Sequence, residues 1–251
     1  MNLSDYYASY EEDQRLNHSN ASSIEYLTML HFIRKYSNPD FHILDLGAAT
    51  GVYSLPLAKE GYTVTAVEPV LRHVEILKNK KQGLTNLNIH QGNALDLSRF
   101  PDDTFDMVLC LGPLYHLPHE QHRLAIQEAK RVCKPGGFLF FACILHDAVI
   151  LSETLNQPGF MLGPEYDPVT FKVKEDPFIF SDIDNMKQLF QQEGISMITS
   201  FSADLLAETA FDKINSLTTE QFQEWMRFHL HICEKEYFLG CAPHWVYVGT
   251  K

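Results

Sequence analysis

The sequence predicts a doubly wound α/β domain, and three observations carry that prediction. Short apolar runs of strand length (HILDL, TVTAVE, LNIH, DMVLCL and FLFFACIL) alternate with segments of helical period over the first two thirds of the chain. FLFFACIL is continuously apolar and HILDL is short and mainly apolar, as strands covered on both faces require. The first run ends in a loop of small residues, Gly47, Ala48, Ala49 and Gly51, that leads straight into a helix. A mostly parallel sheet with helices on both faces accounts for all three, with right-handed crossovers between its strands.

Taken in order, residues 21–37 read as a helix. Ile24, Leu27, Met29, Leu30, Ile33 and Tyr36 form its apolar stripe, and Asn38-Pro39 stops it. Residues 52–60 read as the helix after the glycine loop, where Pro56 must sit in the first turn or kink it. A helix from Val70 to Gln82 separates the second and third strands, and Gly83 breaks it. The segment HEQHRLAIQEAKRVC is helical, with Ala125, Ala129, Val132 and Cys133 on one face, and KPGG turns the chain into the fifth strand. After about residue 147 the rhythm breaks. Pro158, Gly159, Gly163, Pro164, Pro168 and Pro177 interrupt an aromatic stretch, which reads as an irregular insertion or lid. Its Phe160, Tyr166, Phe171, Phe178 and Phe180 either form that lid or make a small core of their own. A helix follows, with Ser181 as N-cap and Gly194 as its stop. ISMITSFSA, a helix at 219–234 and HWVYVGT complete a seven-stranded count.

Composition narrows the function. The chain has 251 residues, enough for one large domain, and 45% hydrophobic with 21% charged residues excludes a disordered chain. Twenty basic against 32 acidic residues give a formal net charge of -12, which argues against nucleic acid or an anionic membrane as partner. No apolar run is long enough to span a bilayer, and the start MNLSDYYASYEEDQRL lacks a basic-then-apolar leader, so a cytoplasmic location is expected. Five cysteines without a CxxC pair read as reduced thiols, and twelve histidines without HExxH give no metal signature.

The glycine loop and the acid Glu68, which closes the second strand about twenty residues on, point to a ligand containing adenosine. Small residues let backbone amides approach it, and the carboxylate accepts from both ribose hydroxyls. A dinucleotide loop wants G-x-G-x-x-G, yet counting from Gly47 those later positions hold Ala49 and Val52. The loop fits D-x-G-x-[GA]-x-G instead, which disfavours a nicotinamide-dependent oxidoreductase.

With DLGAATG, Glu68, QGNALDL, FDMVLCLGPLYHL and RVCKPGGFLFF, the chain resembles the class I S-adenosylmethionine-dependent methyltransferases over about residues 40–145. GPLYHL, the start YYASYEEDQRL and the late HLHICEKEYFLGCAPHWVYV look like a bacterial group of small-molecule type. The resemblance implies a Rossmann-like sheet with its last strand antiparallel and an insertion after the fifth. It implies a single domain over 1–251: an N-terminal helical cap at 1–38, a cofactor-binding core at 39–145, an insertion at 146–180 and the remaining sheet and acceptor-side helices at 181–251. It implies S-adenosylmethionine as cofactor and a small-molecule acceptor, with no metal; the oligomeric state stays open.

By the same resemblance, Asp45, Gly47, Ala48 and Gly51 lie under the methionine part of the cofactor, with Ala49 in place of the usual middle glycine and expected at negative φ. Glu68 takes the ribose, Pro69 lies against adenine, and Asn93 with Ala94 meets the adenine edge, unless Asn93 only makes an Asx turn. Leu111 and Gly112 pass the methionine amine, and Arg15 or Tyr6 closes over its carboxylate. Tyr115 and His116 follow the fourth strand and are candidates for a general base; His116 equally packs on the cofactor or caps the next helix. His229 shares a helix face with Phe222, Trp225, Met226 and Cys233, and either packs there or lines an acceptor pocket with Glu234 and His244. His229 with Cys233 is a weak zinc pair. A non-catalytic cofactor sensor or partner-binding module, or a methyltransferase acting on protein or RNA, are the alternatives.

Overall fold

A computed structural model describes residues 18–175 and 177–251. Tyr6 and Arg15 lie outside the described residues. Helix α1 (Asn20–Tyr36) leads into strand β1 (His42–Leu46), α2 (Ser54–Lys59), β2 (Thr63–Glu68), α3 (Leu71–Lys80), β3 (Leu87–Gln91) and β4 (Phe105–Cys110). A 3-10 turn (Pro113–His116), α4 (His119–Val132) and the long β5 (Cys133–Leu145) follow. Beyond them lie α5 (His146–Asn156), β6 (Tyr166–Asp167), β7 (Lys172–Val173), β8 (Phe180–Ser181), α6 (Ile183–Gln192) and β9 (Ser196–Ser202). The chain ends in α7 (Phe211–Asn215), α8 (Thr219–Ile232) and β10 (His244–Thr250).

Seven strands lie in the order β3-β2-β1-β4-β5-β10-β9, and the two-residue β8 pairs with the end of β5. Strands β1 to β5 are mutually parallel, while β10 runs antiparallel to both β5 and β9. The expected topology, with the last strand reversed, is therefore the one observed. Alternate residues face opposite layers, as the strand period demands. Ile43, Phe140 and Val246 pack with Phe32, Leu57 and Leu77 of α1, α2 and α3. Leu44, Phe141 and Trp245 pack with Ile126 of α4 and Phe190 of α6. Each fully buried side chain of this kind stabilises the fold by about 1.5–3 kcal/mol relative to an exposed one.

The local signals divide in an instructive way. Pro56 stands in the first turn of α2, where a missing N–H costs little. KPGG bulges out of a continuous strand: pairing jumps from Phe105 with Cys133 to Met107 with Phe138, and Gly136 takes φ +75°. The N-cap of α6 is Asp182, not Ser181, because Ser181 pairs with Leu145 in the sheet. Gly194 ends that helix at φ +67°.

The stretch after β5 is more ordered than the proline and glycine count suggests. HDAVILSETLN forms α5, and His146 Nδ1 accepts from the Val173 N–H at 3.0 Å, tying the β6–β7 hairpin to it. Phe160, Tyr166 and Phe171 stack on one another at 5.8 and 6.2 Å. Phe178 and Phe180 leave that group and turn into a cavity, so the five aromatic residues serve two purposes. Among the described residues, no helix is long and apolar enough to cross a membrane.

Candidate active site

Strand order reverses between β1 and β4, because the chain runs outward through β2 and β3 before returning. A crevice opens at the carboxyl ends of such strands. The loop leaving β1 is pinned there: the Gly47 and Ala48 amides both donate to the Val67 carbonyl, at 2.8 and 3.2 Å. Gly47 has φ +72°, and a Cβ on it would stand 3.1 Å from Pro113 Cδ in the loop after β4. Glycine thus lets the two loops meet.

Ala49 has φ +46°, contrary to the negative value expected of it. That conformation costs an L-residue about 1–2 kcal/mol. It persists because the turn between Gly47 and Gly51 demands it and because the Ala49 N–H donates to Glu68 Oε2 at 2.9 Å. Glu68 Oε1 accepts from the Val70 N–H at 2.8 Å, with His73 Nδ1 3.5 Å away. A carboxylate offers about four acceptor positions, so both oxygens keep one for a ligand.

This crevice is one end of a cavity of about 580 Å³. Of the residues proposed for the cofactor, Asp45, Gly47, Ala48, Glu68, Pro69, Asn93, Ala94, Leu111 and Gly112 line it. Gly51 lies beneath, not on the wall. Asn93 does make an Asx turn, its Oδ1 accepting from the Leu95 N–H at 2.8 Å, yet it lines the cavity as well. The two readings of that residue coexist, since its amide donors are not consumed by the turn.

Asp45 is fully buried and accepts from Ser54 Oγ at 2.6 Å. Desolvation, opposed by that hydrogen bond and reinforced by the charge of Glu68, lifts its carboxyl to about 6. A pKa raised above the unfolded value makes Asp45 stabilising below about pH 4, an effect lost as pH rises through 6. If the cofactor that the resemblance implies sets its cation beside Asp45, it favours the ionised form, and binding works in the opposite sense. Affinity for the cationic cofactor should therefore fall below pH 6, approaching tenfold per unit. Calorimetric titrations from pH 5 to 8 check this, and Asp45→Asn should flatten the profile.

Tyr115 and His116 occupy the 3-10 turn after β4 and line the far half of the cavity. Their rings lie 6.3 and 5.3 Å from that of Phe178, and the His244 ring stands 6.0 Å from Tyr115. His229 is elsewhere. It is buried under α8 and paired with Thr28 Oγ1 through Nε2 at 2.9 Å. The Thr28 hydroxyl spends its proton on the Ile24 carbonyl, so His229 is the donor. Burial lowers its pKa to about 4, so it is neutral and packs in the interior rather than facing an acceptor. Glu234 is also away from the cavity, paired with Lys35 on the surface at 3.1 Å. Of that proposed trio only His244 lines the cavity. Cys233 is a buried thiol that is not among the described residues lining the cavity, and burial pushes it up to about 12.

Sequence reasoning missed the acids at this end: Glu25 from α1, Glu153 from α5 and Glu208 after β9 line the cavity, with Asp204 behind them. Only Glu25 leaves a trace in the sequence, as an acid on the face that carries Ala21, Thr28 and Phe32. The others come together through the return of distant segments.

Strand order, glycine turn and terminal acid together define the class I S-adenosylmethionine-dependent methyltransferase fold. The comparisons agree. Residues 44–141 match the family description Methyltransferase domain. Over 104 residues, 41% of this chain and 43% of the other, the protein is 34% identical to the ubiquinone biosynthesis O-methyltransferase of Coxiella burnetii. The match thus spans less than half of that relative. The PH0226 protein of Pyrococcus horikoshii superposes with TM-score 0.66 at 16% identity, over 98% of each chain. A Thermotoga maritima S-adenosylmethionine-dependent methyltransferase, described as a possible histamine N-methyltransferase, does so with TM-score 0.64 at 17% identity, over 99% of this chain and 97% of that one. S-adenosylmethionine is the cofactor that this fold and the domain match point to. The residues present fit it: Glu68 has acceptor positions to spare, the Gly47 backbone is open to close approach, and the Asp45 carboxyl suits a cation.

Proposed function

We propose that this protein transfers the methyl group of S-adenosylmethionine to a small-molecule acceptor. The observation that carries the reading is the cavity's continuity: one enclosure runs from Asp45 and Glu68 to Tyr115, His116, Glu153 and His244. Its volume is that of a small-ligand site, not of a groove for a polymer. The described residues that line it are apolar, aromatic, acidic or histidine for the most part, which suits a small molecule.

Glu68 would hold the ribose, Asp45 and the Gly47 loop the methionine part, and Pro69, Asn93 and Ala94 the adenine. The bound cofactor supplies an electrophilic methyl on a cationic sulfur. The protein's own task is then positioning: Tyr115, Phe178 and Phe180 shape the acceptor half and exclude water from it. Tyr115, His116 and His244 are the groups placed to move a proton from an oxygen or nitrogen acceptor. The Coxiella relative is named for an oxygen acceptor, and the Thermotoga protein is described as a possible methyltransferase of a nitrogen one.

Calorimetry with S-adenosylmethionine and S-adenosylhomocysteine tests the reading. Micromolar binding of both is expected, and release of S-adenosylhomocysteine when small amines or phenols are added. Failure of either cofactor form to bind would overturn it.

A further inference from the structure

The wall at the acceptor end has a chemical bias that the fold does not require. Glu25, Glu153 and Glu208 line it, each from a different element. His244 Nδ1 lies 2.6 Å from Asp204 Oδ2 and 3.9 Å from Glu25 Oε2. Glu208 Oε2 accepts from Ser152 Oγ at 2.9 Å. Tyr115, Phe178 and Phe180 supply the rest of the surface, and no lysine or arginine lines it among the described residues. Carboxylates facing aromatic rings in one enclosure are the recognition chemistry of an ammonium group, which gains ion pairs from the acids and ring-face attraction from the aromatics. An anionic acceptor would meet repulsion from three sides.

Resting on the function proposed above, we infer that the acceptor is an amine, bound in its protonated form by Glu25, Glu153 and Glu208 against Tyr115 and Phe178. The crowding of acids has a visible consequence. Desolvation raises Asp204, with the neighbouring Glu25 acting in the same direction and His244 against it. Glu208 is exposed as a residue, but its carboxyl is set into the cavity wall, where desolvation and then the Asp204 charge raise it. A bound ammonium relieves both. Such a nitrogen must also lose one proton before it can attack. The proton passes from the nitrogen to His116 or His244, the groups named above for that task, leaving the nitrogen its lone pair.

The test is a thermal-shift and calorimetric series on the full chain in the presence of S-adenosylhomocysteine. Phenethylamine is compared with 2-phenylethanol and phenylacetate, which keep the ring and change the charge. The amine should bind at least about tenfold more tightly than either, and Glu153→Gln with Glu208→Gln should remove that preference. Binding of S-adenosylhomocysteine by the double variant reports that it is folded. Equal binding of the three probes, or preference for the alcohol or the acid, overturns the inference while leaving methyl transfer in place. A thermal shift on Mn2+ alone, lost in His244→Ala and accompanied by no response to amine, would assign the acids to a metal and overturn it too. If S-adenosylhomocysteine itself does not bind, the functional reading fails first and this inference goes with it.

Discussion

Replacing Glu68 with glutamine should weaken S-adenosylhomocysteine binding by about 100-fold or more, read by calorimetry at pH 7.5. Glu68 is only 4% exposed and each of its oxygens already accepts one backbone N–H, from Ala49 and Val70. Both oxygens must be acceptors for that arrangement to hold. Glutamine offers one oxygen and one NH2 group, so one backbone donor then faces another donor. The remaining oxygen can serve one ribose hydroxyl, and the charge assistance is gone. Two hydrogen bonds to an ionised group contribute about 1.5–3 kcal/mol each, so losing one outright and weakening the other reaches two orders of magnitude. Glu68→Asp is the discriminating companion. It keeps both oxygens and the charge but withdraws them by one methylene, so it should lose less than the glutamine variant if charge dominates. A glutamine variant within about threefold of the wild type would remove Glu68 from the ribose role.

The parallel half of the fold is legible in the sequence because its strands are covered on both faces. Leu44 and Ile43 are both buried, in opposite layers, so apolar residues stand next to each other in HILDL and the strand is recognised without alternation. The glycine turn is legible for a different reason: Gly47 and Gly51 occupy backbone conformations that few other residues tolerate, so their identity reports geometry directly. Ala49 shows where that logic stops. It takes positive φ without being glycine, since a hydrogen bond to Glu68, nineteen residues away, compensates the strain. Helix α5 is obscured because its apolar residues are shared between the cavity and the hairpin and give no single stripe. The acidic acceptor wall is the least legible part. Glu25, Glu153, Asp204 and Glu208 have no fixed spacing, and each alone looks like an ordinary surface acid until tertiary packing gathers them. His229 illustrates the reverse error: helical period correctly places it among apolar residues, but a period cannot say whether that face meets a ligand or another helix. Thr28, two hundred and one positions away, decides it.

Gly51→Ala should destabilise the protein by about 2–6 kcal/mol, a large share of the 5–15 kcal/mol typical of a domain. Two separate terms contribute. Gly51 has φ +92°, beyond the narrow left-handed region open to L-residues, which costs about 1–3 kcal/mol. The added Cβ would also stand 2.2 Å from Leu77 Cδ1 and 3.1 Å from Leu55 Cδ1. Leu77 is fully buried in α3 and has no exposed direction in which to withdraw, so relief requires repacking at about 1–3 kcal/mol. The measurement is urea denaturation followed by circular dichroism, with the midpoint falling at unchanged slope. Ala49→Gly, two residues earlier in the same loop, should act in the opposite direction. It releases the strain at φ +46°, and the greater freedom of glycine in the unfolded chain offsets part of that gain, leaving less than about 1 kcal/mol of net stabilisation. Gly51 is not on the cavity wall, whereas Ala49 lines it and holds Glu68 through its N–H, so the unfolding midpoint is the readout for both. A Gly51→Ala protein as stable as the wild type would mean that α3 does not press on the loop, and the small residue there would have to be explained by the ligand instead of by packing beneath it.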